Sequence, residues 1–139
     1  MYKCKYFTIK ELVHPNFLKL PENTCWLLFD ERLLRCADEI RKKFGACTVN
    51  GNGLFNCGLR EINSRTGAKY SQHKFGRGLD LHILSIEKKG LSKEEKIRAY
   101  NNVREQIMLD YKFDVLNFEH NISWLHIETS NRDKRLFNP

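Results

Sequence analysis

From Thr24 to Phe44 the apolar residues Trp26, Phe29, Leu33, Ala37, Ile40 and Phe44 recur every three or four positions, the stripe that one face of a helix turns towards a core. Gly45 stands where such a helix would end. Upstream, Thr8 is placed to cap a short helix starting at Ile9, and His14-Pro15 stops it, because the residue before proline is pushed out of helical geometry. A short extended run covers Cys47 to Val49. The period then changes to two: Leu79, Leu81 and Ile83 point to one side of a strand, Asp80 and His82 to the other. Ser92, with Glu95 three residues on, forms the capping box of a second long helix whose buried stripe is Ile97, Tyr100, Val103, Ile107 and Tyr111. The last third reads as a hairpin, with strand Asp114 to Glu119, a turn over 120–123 and strand Trp124 to Glu128. Leu116, Phe118, Leu125 and Ile127 take its core side, and Asn117, Glu119, His126 and Glu128 the other.

This order of elements predicts an α+β fold in which a small antiparallel sheet packs against helices. A length of 139 residues, without repeat, linker or low-complexity tract, predicts a single domain over 1–139. The segment 50–78 is polar and glycine-rich, and a loop of that length inside a compact domain usually carries function.

Composition narrows the classes. With 41% hydrophobic and 29% charged residues the chain is a folded protein and not a disordered tail. Lysine and arginine outnumber acids 24 to 17, for a formal charge of +7, which favours polyanionic partners. No helix-turn-helix, finger or ribonucleoprotein signature accompanies that charge, so no dedicated nucleic-acid partner is expected and a small basic nucleic-acid binder ranks last. The runs Arg41-Lys42-Lys43 and Arg132-Asp133-Lys134-Arg135 read as solvated surface. Five cysteines without a Cys-x-x-Cys pair argue against a zinc knuckle and a closed disulfide framework, and point to synthesis in a reducing cytoplasm. No secretory signal or membrane-spanning run is visible, so no membrane insertion is expected, and action outside the cytoplasm would need a separate route of release.

The chemistry lies on the polar side of the strands. Asp80, His82, Glu119, His126 and Glu128 share one face, and His73 reaches it from the loop just before Asp80. Catalytic zinc sites use three histidine or carboxylate ligands and leave a fourth position open. His73, Asp80 and His126 meet that count, with Gly76 and Gly78 allowing the chain to fold His73 back towards Asp80.

The pattern Ser71-x-His73-x-x-Gly76-x-x-x-Asp80, followed by Trp124-x-His126, resembles the zinc signature of D-alanyl-D-alanine carboxypeptidase-type metallopeptidases, which share the fold of the Hedgehog signalling domain and include phage endolysins. The resemblance runs over most of the chain, including the segments "YFTIKEL" and "CGLREIN". It implies Zn2+ held by His73, Asp80 and His126, and Arg60 as the cation beside the substrate carbonyl. Many relatives carry a glutamate three residues before the last histidine, where this chain has Ser123. Others carry it at the end of the preceding strand, which nominates Glu119 as general base, with Glu128 in reserve. His82 is a candidate to orient a ligand, and Trp124 to wall the site. The implied activity is zinc-dependent hydrolysis of stem or cross-link peptides of bacterial peptidoglycan by a monomeric endolysin or related cell-wall peptidase. Such an enzyme acts at the wall after release, or from the virion. The rival reading is a non-catalytic zinc-containing binding module of the same fold.

Overall fold

The computed structural model describes residues 1–51 and 53–139. Helices α1 (Ile9–Leu12), α2 (Glu22–Leu27) and α3 (Glu31–Phe44) come first, then β1 (Cys47–Thr48) and a long stretch of turns. Strand β2 (Gly78–Ile83) runs into a one-turn helix α4 (Leu84–Glu87), followed by α5 (Lys93–Met108), β3 (Asn117–Glu119), β4 (Leu125–Glu128) and β5 (Leu136–Phe137). The capping box expected at Ser92 with Glu95 is formed, and Thr8, expected to cap α1, does so in a second capping box with Glu11.

The five strands make one sheet in the order β1-β2-β4-β3-β5. Its first three pairings are antiparallel, and Asp80 lies directly opposite His126 in the β2–β4 ladder. The sheet is nevertheless mixed, because β5, which the sequence pattern did not reveal, adds in parallel to β3. Arg135 secures this last strand by donating to the carbonyls of Leu116 at 3.0 Å and Phe113 at 2.7 Å.

One face of the sheet belongs to the core. Leu79, Leu81, Ile83, Phe118, Leu125 and Ile127 are all at most 1% exposed, and they join Leu33, Leu34, Ala37 and Ile40 of α3 in a single apolar cluster. Each large apolar side chain so buried contributes about 1.5–3 kcal/mol. A one-residue slip of register would exchange these residues for Asp80 and His126, so the apolar face pins the polar face in place.

Four expectations are corrected. The helix read from Thr24 to Phe44 is two helices. Asp30 caps α3 by accepting from the Arg32 N–H at 3.0 Å, while its own N–H donates to the Gly76 carbonyl at 2.9 Å. The apolar spacing survives the break because Trp26 of α2, Phe29 of the junction and the stripe of α3 all enter the same core cluster. Tyr111, expected in the stripe of α5, is 80% exposed, since it lies beyond the helix in a 3-10 turn. The strand expected from Asp114 begins only at Asn117, and β4 begins at Leu125, one residue after Trp124.

A charged residue occupies the buried side of α5. Arg104 is 1% exposed and donates to the carbonyls of Ile122 and Trp124 and to the Asn101 side chain. Those carbonyls belong to the turn between β3 and β4, so a buried cation fixes the loop that presents Trp124. Burial lowers its pKa to about 10, against the raising effect of Glu119 and Tyr100, which leaves it charged at neutral pH.

Candidate metal centre

His73 sits in a 3-10 turn, Gln72–Phe75, that ends at Gly76 with φ 64°. A side chain at Gly76 would drive its Cβ to 1.9 Å from the Leu28 carbonyl oxygen, so only glycine lets this turn close against the α2–α3 junction. The turn delivers His73, 2% exposed, on to the polar side of β2 and β4 beside Asp80 and His126.

The three side chains meet. His73 Nε2 lies 3.3 Å from His126 Nδ1 and 3.3 Å from Asp80 Oδ1, and His126 Nδ1 lies 2.7 Å from the same oxygen. Donor atoms about 2.0–2.1 Å from a tetrahedral ion stand about 3.3–3.4 Å apart, so two of the three edges already match and the third is at hydrogen-bond length. The set of two imidazole nitrogens and one carboxylate oxygen suits a divalent ion such as zinc.

The groups behind the ligands fit the same use. The His73 Nδ1–H donates to the Gly58 carbonyl at 2.9 Å, which fixes the tautomer that leaves Nε2 free to ligate. The His126 Nε2–H donates to Glu128 Oε2 at 3.1 Å, and the other Glu128 oxygen accepts from Ser130 and Arg132. Arg60 Nη2 donates to Asp80 Oδ2 at 3.1 Å, leaving Oδ1 towards the histidines. Each ligand therefore has one atom for an ion and one partner that orients it.

Arg60 and Glu128, nominated from the sequence, both line the cleft beside the cluster, and both are engaged with its ligands. Arg60 is 7% exposed, and besides Asp80 its guanidinium holds the carbonyls of Asn56 and Thr66. It reaches the site, chiefly as the clamp on a ligand. Glu128, the reserve base, is 2% exposed and committed on both oxygens. Glu119 joins Arg60 and Glu128 in lining an open cavity of about 450 Å³ with His73, Asp80, His126, Trp124 and Phe137, and no hydrogen bond of its side chain to the ligands is formed. His82 stands away from the cluster, with Nε2 3.7 Å from Cys57 Sγ and Nδ1 3.9 Å from Glu87. The supporting roles of Gly58, Ser130 and Arg132 had no signal in the sequence, being made by contacts between distant segments.

Without an ion the cluster is held together by protons. Burial raises the Asp80 carboxyl, but the facing histidines outweigh it and hold the group well below the usual carboxylate range. Burial lowers His126, yet its bonds to Asp80 and Glu128 prevail and push it up to about 9. Burial likewise opposes ionisation of Glu128, and His126, Arg132 and Ser130 overcome it to bring the carboxyl down to about 2. An ion must therefore displace a proton from His126. Its affinity is expected to rise about tenfold per pH unit below about 9 and to level off above, as read by competition with a chromophoric chelator. A flat profile would show His126 neutral in the metal-free chain.

No helix among the described residues is long and apolar enough to cross a membrane. Compared with known protein families, curated proteins and solved structures, the chain has no significant match, so its metal-binding character rests on the His73, Asp80 and His126 cluster itself.

Proposed function

We propose that the protein is a zinc-dependent peptidase that hydrolyses stem or cross-link peptides of bacterial peptidoglycan, in the manner of a phage endolysin or related cell-wall enzyme. The observation that carries the metal part is the near-tetrahedral spacing of three donors, each with a supporting partner, opening on to a cleft. The peptide part rests on the resemblance of the His73, Asp80 and His126 pattern to cell-wall metallopeptidases. A bound ion would supply Lewis-acid polarisation of the scissile carbonyl and acidify water beside it.

The chain's own residues do the rest. Glu119, on the cleft wall, takes the proton of the attacking water and returns it to the leaving amine. Arg60 holds Asp80 in its ligating rotamer and places a cation near the carbonyl oxygen as negative charge develops there. Trp124 and Phe137 wall the cleft and narrow the access of solvent.

Mass spectrometry of fragments released from defined peptidoglycan tests this reading. Cleavage of a peptide bond that stops on chelation and returns with zinc is the expected result. Intact substrate in the presence of stoichiometrically bound zinc would instead favour a non-catalytic binding module.

A further inference from the structure

Adjoining the metal cleft, which shares Arg132 with it, a second cavity of about 450 Å³ is lined by four arginines. Arg32 comes from α3, Arg77 from the turn entering β2, and Arg132 and Arg135 from the segment between β4 and β5. A single carboxylate, Asp114, lines the cavity with them, and Thr129 contributes to its wall. Arg132 and Arg135 belong to one basic run, but Arg32 and Arg77 come from distant segments, so the fold and not the run assembles the four.

The four are not equivalent. Arg135 is engaged with Asp114 and two backbone carbonyls, and Arg32 with Asp30 through Nε and Nη2. Arg132 gives Nε to Glu128, and its guanidinium lies 3.8 Å over the Phe137 ring, which sets its plane. Arg77 is exposed and has no carboxylate partner among the described residues, while its carbonyl accepts from the Thr129 N–H at 2.9 Å and so fixes the turn that carries it. Two guanidinium groups with donors to spare thus line one cavity from separate segments.

We propose that this cavity binds a phosphoryl group, with Arg77 and Arg132 as its main ligands. A phosphate offers oxygens in several planes and can bridge two guanidinium forks, whereas the two coplanar oxygens of a carboxylate suit one fork. Arg132 also lines the metal cleft, so the anion site begins where that cleft ends. The inference stands independently of the peptidase reading, because it uses none of the metal ligands.

The test is a pyrophosphate titration of the full chain after chelator treatment, followed by backbone amide NMR. Saturable shifts are expected at Arg77, Thr129 and Asn131. The double variant Arg77→Gln, Arg132→Gln should weaken binding by about tenfold or more, from the loss of charged hydrogen bonds. The double variant Lys88→Gln, Lys89→Gln, which removes the same charge from an exposed turn elsewhere, should leave it unchanged. Equal weakening by both pairs, or no saturable shift at those amides, overturns the site. A glycerol-phosphate oligomer that binds there more tightly than pyrophosphate assigns a phosphodiester polymer as the ligand, and weaker binding assigns a small phosphate. A glutamate-rich peptide that matches pyrophosphate at the same amides overturns the phosphate assignment.

Discussion

His73→Ala is expected to lower affinity for zinc by more than about a hundredfold, since removing even an outer partner of a ligand costs ten- to a hundredfold. The substitution leaves two donors where three stood. It also deprives the Gly58 carbonyl of its partner and opens a space at a site that is 2% exposed, so the metal-free protein should itself be less stable. The informative reading is therefore the increment that zinc adds to the unfolding midpoint, not the midpoint. An ion that binds only the folded chain, present at a hundred times its dissociation constant, stabilises by about 2.7 kcal/mol. That increment should be plain in the wild type and absent from the variant. An undiminished increment in His73→Ala would show that the ion sits elsewhere.

Glu119→Gln should cut hydrolysis by about 10²–10⁴ while bound zinc is unchanged, because it removes a proton acceptor and keeps the shape of the side chain. Glu128→Gln should behave in the opposite way. It loosens the grip on His126 and lowers zinc affinity about ten- to a hundredfold, without touching the proton path. Rates measured with zinc in excess, beside metal content after dialysis, separate the two. If Glu119→Gln turned over substrate at the wild-type rate, the base would have to be sought among other groups of the cleft.

Much of this arrangement was legible in the chain. Alternation along Leu79 to Ile83 and Leu125 to Glu128 needs no tertiary knowledge, and it placed Asp80 and His126 on one face before their pairing was seen. The capping boxes at Thr8 and Ser92 are likewise local in both cause and signal. What was hidden depends on partners far along the chain. The break at Asp30 is completed by the carbonyl of Gly76, and β5 is two residues whose only signal is the strand they join. The roles of Arg60 and Glu128 turned on which oxygens and carbonyls their side chains reach, which spacing does not encode. The arginine cavity shows the same limit, since the run around Arg132 reads as solvated until Arg32 and Arg77 are brought beside it.

The ladder that sets Asp80 opposite His126 also orders events in time. Between the two ligands the chain passes through α4, the whole of α5 and β3, so β2 and β4 meet only after that intervening segment has closed its loop. Helices can form within microseconds, whereas pairing across such a separation waits on loop closure. An ion bound by His73, Asp80 and His126 would therefore find its third ligand only in a chain that is already nearly native. It would act as a latch on the finished structure, slowing its opening far more than it hastens its assembly.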